Sequence, residues 1–167
     1  DNNLNPIKLI NTHCHIDHIL GNQFIINTWG TILYMHKKEI PILEISKETS
    51  KIYGLNNYNN EDHKCKFIEE NDTIKFGNSA LNVIFTPGHS PGHISLYCER
   101  EKFIISGDVL FQNSIGRTDL PGGNHDQLIR IIKNKLLTLD EKTKVYCGHG
   151  PSTTIKREKD LNPFLKD

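Results

Sequence analysis

Four predicted strands are each followed within two or three residues by histidine or aspartate, and this recurrence constrains the fold of the 167-residue chain more than any other feature. The strands are short apolar runs at 7–11, 80–86, 103–106 and 143–146. The residues that follow them are His13, His15, Asp17 and His18, then His89, Asp108 and His149. In layered α/β folds, the loops at strand ends are where sites are assembled. The sequence therefore predicts one polar cleft lined by seven potential metal ligands.

The first of these groups is the densest, an HxHxDH pattern over residues 13–18. A single histidine beside a strand is usually an ordinary turn or core residue. The spaced motif differs, because its chance occurrence in this chain is roughly 1 in 700 from residue frequencies. His13 and His15 can face the same way after a strand, since side chains there alternate with period two. Asp17 and His18 lie past the turn and can face a second position.

Imidazole nitrogen and aspartate oxygen form a donor set that suits zinc, iron or manganese. The residues can be divided between two ions. The two sets are His13, His15 and His89 for one ion, and Asp17, His18 and His149 for the other. Asp108 has two carboxylate oxygens and is suited to bridge the pair. We therefore expect two divalent metal ions, zinc first, with iron and manganese as alternatives.

Composition excludes several classes of function. The 20 basic and 20 acidic residues balance, so no global basic field attracts nucleic acid. No apolar run approaches the roughly 18 residues that a membrane helix needs. The four cysteines are far apart and form no CxxC pair, which is typical of reduced thiols in the cytosol. We expect a cytoplasmic protein that acts on a small molecule, with no nucleic-acid or membrane partner. The sequence leaves the oligomeric state open.

No composition break or linker divides the chain, so we expect a single domain over residues 1–167. Mixed strands and helices predict an α/β class with sheets covered by helices. Further strands are predicted at 31–35, 74–76 and 94–98, and helices at 19–29, 39–53 and 153–160. Another helix, capped by Asn124 or Asp126, is expected to reach Leu139. The segments 56–66 and 115–124 are expected to be irregular.

Several longer motifs connect the chain to a known family. They are THCHIDH at 12–18, TPGHSPGHISL at 86–96, SGDVLF at 106–111, IGRTDLPGG at 115–123, GHGP at 148–151 and NPFL at 162–165. In this order and spacing they resemble the metallo-β-lactamase-fold hydrolases, specifically the short bacterial type of the glyoxalase II-like (hydroxyacylglutathione hydrolase) branch. The resemblance implies a metallo-β-lactamase-like αββα sandwich in a single metallo-hydrolase domain, with a two-metal site.

Two parts of the family's pattern have no match in this sequence. Members of the family begin with an N-terminal hairpin and a further strand that ends in an Asp-Pro-Gly turn. Asp1 falls just before the strand that carries the first motif, so we expect the sandwich to be N-terminally incomplete, lacking the usual N-terminal strands. The C-terminal helices that help to hold glutathione in the larger enzymes are also unmatched. The resemblance therefore defines the reaction class more closely than the substrate.

The resemblance implies hydrolysis of a thioester, with an S-lactoylglutathione-type compound as substrate. Asp17 and Asp108 are then the catalytic carboxylates, Asp17 by orienting the attacking water and Asp108 by bridging the ions. Arg117 stands where the family has a cationic glutathione contact. Two alternatives stay open. One is a mononuclear iron glutathione persulfide dioxygenase that uses His13, His89 and Asp108. The other is an inactive, truncated metal-binding remnant.

The remaining histidines and Cys14 are not expected to bind metal. His93 follows His89 closely and is expected to support the site or a turn rather than bind metal. Cys14 lies between two ligands but should point away from them as a buried apolar side chain. β-Lactamases of this fold that use a cysteine ligand carry it where Asp108 stands, which argues against that activity. Three histidines are expected at the surface: His36, His63 and His125.

Overall fold

The computed structural model describes residues 4–55, 58 and 65–166. These residues form two compact units, the first ending at Ile68 and the second beginning at Glu69. Both units contain strands and helices, which confirms the predicted α/β class. The single-domain organisation over residues 1–167 stays a prediction. Among the described residues, none of the helices combines the length and the hydropathy of a transmembrane span.

The first unit is built on a three-stranded parallel sheet in the order β1-β2-β3. In chain order its elements are β1 (Leu9–Ile10), α1 (Ile16–Ile19), α2 (Asn22–Trp29), β2 (Leu33–Met35), a 3₁₀ turn (Lys37–Glu39), α3 (Ile40–Ile52) and β3 (Cys65–Phe67). Its buried core consists of Cys14, Ile16, Ile19, Leu33, Met35 and Ile42. The HxHxDH segment therefore follows β1 and contributes directly to this core.

Local sequence signals explain where the helices of the first unit begin and end. Gly30 ends α2 in the left-handed region at φ 62°, where glycine adopts the required conformation without strain. Pro41 lies in the first turn of α3, where its missing N–H would have had no partner within the helix. The single helix predicted over 19–29 is wrong at its start. Two short helices meet near Gly21, because α1 already forms within the HxHxDH segment.

The second unit contains a six-stranded sheet in the order β11-β10-β7-β6-β5-β4 and a separate hairpin, β8-β9. Its strands are β4 (Thr73–Phe76), β5 (Ser79–Phe85), β6 (Ile94–Cys98), β7 (Phe103–Gly107), β8 (Leu110–Phe111), β9 (Ser114–Ile115), β10 (Lys144–Cys147) and β11 (Thr153–Thr154). Strands β4 to β7 are antiparallel neighbours, whereas β10 runs parallel to β7. Strands β5, β7 and β10 therefore end at the same edge of the sheet.

Two helices belong to the second unit, α4 (His125–Ile131), which continues as a π-helical turn (Ile132–Leu136), and α5 (Ile155–Leu161). Asn124 caps α4 by accepting the N–H of Gln127 at 2.9 Å, as predicted. The apolar face of this helix packs into the core of the second unit. That core consists of Ile104, Val109, Leu110, Ile115, Leu128, Ile132, Leu136, Val145, Ile155 and Leu165.

Gly88 allows the loop after β5 to approach α4 closely. Its carbonyl accepts the N–H of Asn124 at 2.7 Å, at the start of the helix. Its φ of 137° is a conformation that other residues rarely adopt. A Cβ built on Gly88 would lie 2.6 Å from backbone atoms of Leu128. Only glycine therefore fits here, and the loop that carries His89 is fixed against the helix.

Some of the predicted irregular segments contain short strands. The prediction of a loop over 56–66 is wrong at Cys65 and Lys66, which belong to β3, while 56–57 and 59–64 lie outside the described residues. The segment 115–124 begins in β9, and β11 precedes α5 within 153–160. These strands have only two or three residues. Their pairing with β2, β8 and β10 stabilises an extended conformation that such short runs do not specify by themselves.

Candidate metal centre

The first unit gathers the four side chains of the HxHxDH segment. The ring of His13 lies 4.8 Å from that of His15 and 4.1 Å from that of His18, measured between centroids. The carboxylate of Asp17 lies 3.3 Å from Nε2 of His18. His13 is fully buried, whereas the side chain of Asp17 is 50% exposed. Within this unit the structure therefore brings together all four predicted donors, and one side of the group is open.

A buried carboxylate from another part of the first unit fixes this segment. Oε2 of Glu39 accepts the backbone N–H of Cys14 at 2.7 Å, and Glu39 is fully buried. Cys14 lies between His13 and His15, so the bond to Glu39 fixes the backbone that presents both imidazoles. Sequence reasoning missed Glu39, because nothing in its neighbourhood indicates a partner 25 residues away.

A pair of buried amides holds the end of the same segment. Asn11 and Asn22 exchange side-chain hydrogen bonds of 3.2 and 2.8 Å, and Nδ2 of Asn11 also donates to the carbonyl of His18 at 3.1 Å. Cys14 takes the predicted role of a buried apolar side chain, with its Sγ 3.5 Å from Sδ of Met35. Burial and the nearby Glu39 carboxylate raise the pKa of the Cys14 thiol well above its usual range.

The second unit gathers His89, Asp108 and His149 at the common edge of β5, β7 and β10. Oδ2 of Asp108 lies 3.7 Å from Nε2 of His89 and 3.4 Å from Nε2 of His149. His89 and Asp108 are buried, while the side chain of His149 is 57% exposed. Three residues predicted from separate strand ends therefore lie together around one carboxylate oxygen within this unit.

The orientation of His89 is set by the backbone of Arg117. Nδ1 of His89 lies 2.7 Å from the Arg117 carbonyl oxygen, which can only accept, so Nδ1 carries a proton. In the neutral ring, Nε2 then has a lone pair directed toward Asp108. Metal-binding histidines commonly have this arrangement, with the second ring nitrogen donating to a carbonyl. Arg117 therefore contributes to the site through its main chain, a role that the sequence did not indicate.

His93 supports the site through the main chain of Asp108. Its Nε2 accepts the backbone N–H of Asp108 at 3.1 Å. Nδ1 must then carry the ring proton, and it donates a hydrogen bond to Oγ1 of Thr86 at 2.9 Å. His93 is fully buried, and Thr86 continues the network to Ser95 at 3.0 Å. The supporting role predicted for the second histidine of the PGHSPGH motif is consistent with these contacts.

The loop after β9 packs tightly against the main chain of Asp108. A Cβ built on Gly116 would lie 1.9 Å from the carbonyl oxygen of Asp108 and 3.2 Å from Cβ of His89. The N–H of Gly116 donates to the carbonyl of Val109 at 3.2 Å. Glycine is therefore required for this close approach, and it allows Arg117 to reach His89.

The guanidinium of Arg117 is paired within its own loop. Nε and Nη2 donate to the two carboxylate oxygens of Asp119 at 2.7 and 2.6 Å. This bidentate pair is exposed, and it lowers the pKa of Asp119 to about 2. The substrate contact predicted for Arg117 stays a prediction. A substrate carboxylate would have to compete with Asp119 for the same donors.

The surface positions predicted for the remaining histidines are confirmed for one residue and wrong for another. His125 is exposed at the start of α4, as predicted. The surface position predicted for His36 is wrong, because this residue is buried and its Nδ1 accepts the N–H of Lys38 at 3.2 Å. The ring thereby caps the 3₁₀ turn that leads to Glu39, a tertiary role that a lone histidine does not reveal. His63 lies outside the described residues.

The donor sets fit divalent metal ions. The first unit presents three imidazoles and a carboxylate, and the second presents two imidazoles around a shared carboxylate oxygen. Mixed nitrogen and oxygen donors of this kind suit zinc, iron and manganese. An α/β protein whose histidine and aspartate side chains gather where strands end has the features of a metal-binding class, because ligands of α/β folds bind at strand ends and these donors suit divalent metals. The division of the seven residues between two ions stays a prediction.

Comparison with known proteins identifies the family within that class. The chain belongs to the metallo-beta-lactamase superfamily, which it matches over residues 1–149. One relative is the probable metallo-hydrolase YqgX of Bacillus subtilis, with 41% identity over 97% of this chain and 77% of the relative. Another is the hydroxyacylglutathione hydrolase GloC of Haemophilus influenzae, with 36% identity over 97% of this chain and 77% of that protein.

Solved structures share the architecture. The crystal structure of BLEG-1 B3 metallo-beta-lactamase matches with a TM-score of 0.90 and 40% identity, over 98% of this chain and 79% of that chain. The structure of TTHA1623 in a di-iron-bound form matches with a TM-score of 0.87 and 33% identity, over 96% of this chain and 78% of that chain. These matches confirm the predicted metallo-β-lactamase fold, an α/β fold with mixed sheets.

Proposed function

We propose that this member of the superfamily is a hydrolase that binds two divalent metal ions and cleaves a thioester. The proposed ligands are His13, His15, Asp17, His18, His89, Asp108 and His149. The observation that carries the proposal is the Asp108 carboxylate, with Oδ2 within 3.7 Å of His89 Nε2 and 3.4 Å of His149 Nε2. A carboxylate close to two imidazoles is suited to bridge two ions. Zinc is the proposed metal, with iron and manganese as alternatives.

The chain's own residues then have distinct roles. When bound, the ions would supply Lewis acidity and lower the pKa of a coordinated water to about 7. Asp17 is half exposed and can accept a hydrogen bond from the attacking water, which orients it. Asp108 is buried, and the bond from its N–H to His93 fixes the main chain that carries the carboxylate. Substrate can reach the exposed side of His149.

A thioester suits a site of this composition because of its leaving group. A thiol has an ordinary pKa of about 8.5, so the thiolate departs with little help from a general acid. An amine leaving group must be protonated. In the two groups described above, the proposal assigns every histidine and aspartate to metal binding, and His93 to support of Asp108. We therefore expect a good leaving group in the substrate.

A glutathione thioester of the S-lactoylglutathione type is the proposed substrate. The relative named hydroxyacylglutathione hydrolase GloC, at 36% identity, supports this choice. Glutathione carries two carboxylates, and the exposed guanidinium of Arg117 is a bidentate partner for one of them. Asp119 already binds the guanidinium of Arg117. The substrate contact therefore gains only the difference in free energy between the pairing with substrate and the pairing with Asp119.

Metal analysis combined with a thioester assay tests the proposal. The zinc-loaded chain is expected to hydrolyse S-lactoylglutathione. Arg117→Ala is expected to raise KM for this substrate by about ten-fold with kcat nearly unchanged, and to leave a small neutral thioester unaffected. Equal losses on both substrates would give Arg117 a purely structural role. Failure of the metal-loaded chain to hydrolyse any thioester would contradict the proposed reaction.

β-Lactam hydrolysis is a second candidate, favoured by the 40% identity to BLEG-1 B3 metallo-beta-lactamase. This reaction requires protonation of an amide nitrogen. In the two described groups, the proposal already assigns a role to every histidine and aspartate, so none of them is left to donate that proton. The same preparation assayed with a β-lactam decides between the two activities. One iron per chain with oxygen uptake that depends on glutathione persulfide would instead favour the dioxygenase alternative. The di-iron form of TTHA1623 supports iron as a possible metal.

We also propose that the protein works in the cytoplasm, with reduced thiols. Cys14, Cys65, Cys98 and Cys147 are all free. Thiol titration of the unfolded, non-reduced protein is expected to count four groups. A count of two or zero would reveal disulfides and contradict this location.

A further inference from the structure

Helix α5 and the residue that follows it hold the β8-β9 hairpin through two fully buried polar side chains, Glu158 and Asn162. Oε2 of Glu158 accepts the N–H of Asn113 at 2.8 Å. Nδ2 of Asn162 donates to the carbonyl of Ser114 at 2.9 Å, and also to Oε2 of Glu158 at 2.9 Å. We refer to Glu158 and Asn162 together as the C-terminal clamp.

The clamp acts on the turn of the hairpin. Asn113 has a φ of 56°, in the left-handed region that residues other than glycine seldom occupy. Its N–H bonds to Glu158, and its Oδ1 accepts from Nη2 of Arg157 at 3.4 Å. Burial of the Glu158 carboxylate is costly unless hydrogen bonds compensate for lost water. The closed turn supplies such a bond, so the hairpin and the clamp stabilise each other.

The hairpin connects two parts of the proposed metal centre. Asp108 comes two residues before β8, and Gly116 and Arg117 follow β9 directly. The N–H of Gly116 returns to the carbonyl of Val109 at 3.2 Å, and the carbonyl of Arg117 accepts from Nδ1 of His89 at 2.7 Å. The position of the hairpin therefore determines where the Asp108 carboxylate lies and how the His89 ring is oriented.

We propose that Glu158 and Asn162 are positioning residues for the metal ligands Asp108 and His89, an inference that rests on the proposed function. The clamp fixes the turn, the turn fixes the register of β8 with β9, and β9 delivers the carbonyl that orients His89. This role also accounts for the NPFL motif, which begins at Asn162. Oδ1 of Asn162 accepts the N–H of Phe164 at 3.0 Å, so the motif holds its own amide in place.

Four variants of the full chain separate positioning from simple stability. Asn162→Ala and Glu158→Leu remove bonds to the hairpin. Glu158→Gln keeps a side-chain oxygen that can accept from Asn113, so it serves as the conservative rescue. Thr153→Val is the matched control, because it removes a hydroxyl that donates to the other Glu158 oxygen and leaves both clamp bonds to the hairpin in place. The affinity for Zn²⁺ is measured by competition with a chelator, and amide hydrogen exchange of residues 109–117 is measured on the metal-free protein.

Asn162→Ala and Glu158→Leu are expected to weaken zinc binding by about ten-fold and to speed exchange in the hairpin. Glu158→Gln and Thr153→Val are expected to stay within about two- to three-fold of the parent, even where the melting temperature falls. Parent-like zinc affinity and exchange in Asn162→Ala would overturn the inference, as would an equal loss in Thr153→Val. If Glu158→Leu does not fold, the zinc affinity and hydrogen exchange of Asn162→Ala alone decide whether the inference holds. A parent chain that binds no zinc would contradict the proposed function. The hydrogen-exchange data would still show whether the clamp fixes the hairpin, because they are measured on the metal-free protein.

Discussion

The histidine–aspartate groups of the two units are built in opposite ways. In the first unit, four donors lie within the six residues 13–18, and one short loop presents them all. In the second unit, His89, Asp108 and His149 are far apart in sequence and meet because β5, β7 and β10 end at one edge of a sheet. The first group is a property of local sequence and the second is a property of topology.

The supports of the two groups, by contrast, are alike, because in both they come from outside the ligand motif. In the first unit, the Glu39 carboxylate binds the N–H of Cys14, 25 residues away. In the second unit, the Arg117 carbonyl binds His89, 28 residues away, and the His93 ring binds the N–H of Asp108, 15 residues away. We therefore expect removal of a central ligand to have a larger effect than removal of a single support.

The largest effect is expected from Asp108→Ala, which removes the carboxylate at the centre of the second group. It should lower kcat for a thioester by more than about 100-fold and reduce the metal content of the purified chain. Asp126→Ala is the matched control, because Asp126 is an exposed carboxylate in the first turn of α4. Steady-state kinetics and elemental analysis on both variants make the comparison. Full metal occupancy in Asp108→Ala would refute its proposed bridging role.

A smaller effect is expected from Glu39→Leu in the first unit. The substitution leaves the buried N–H of Cys14 without its carboxylate acceptor, at a cost of about 1–3 kcal/mol in the free energy of unfolding. Urea unfolding of the metal-free chain measures this change. Glu44→Leu, at an exposed position of α3, should stay within about 0.5 kcal/mol of the parent. Equal unfolding free energies for the two variants would show that Glu39 does not hold the loop.

The smallest effect concerns the exposed Arg117–Asp119 pair. The pKa of Asp119 is lowered from 3.8 to about 2, chiefly by the hydrogen bond from Arg117. Because the folded-state pKa lies below the unfolded value, the pair favours the folded state above about pH 4, and this contribution is lost as the pH falls toward 2. NMR titration of the Asp119 carboxyl should give a midpoint near 2, which moves toward 3.8 in Arg117→Ala. An unshifted midpoint in the parent would mean that the pair does not persist in solution.

The sequence was most informative where one local pattern decided the structure. Strand β6 has the predicted bounds 94–98, and Asn124 caps α4 as predicted. The candidate donors were recognised from short motifs, and within each unit the structure brings them together. For the Asn124 cap and the HxHxDH group, the deciding interactions lie within a few residues of one another, so the pattern carries the information. His89, Asp108 and His149 were recognised from their positions after predicted strands, and the sheet topology brings them together.

The missed features depend on contacts between distant parts of the chain. The burial of His36 and of Glu39 follows from packing within the first unit, which no local pattern indicates. Glu158 sits among charged residues of α5 and looks like an ordinary exposed helix position, yet it binds the N–H of Asn113, 45 residues away. Such residues support the site without belonging to its motif, and only the folded structure reveals them.

Metal stoichiometry tests the central claim most directly. The purified chain is stripped of metal, reconstituted with excess Zn²⁺, dialysed and analysed for zinc and protein. Seven donors divided into two sets with Asp108 as the bridge predict two zinc ions per chain, with both lost together in Asp108→Ala. A single ion per chain in the parent, or two ions that persist in Asp108→Ala, would contradict the account.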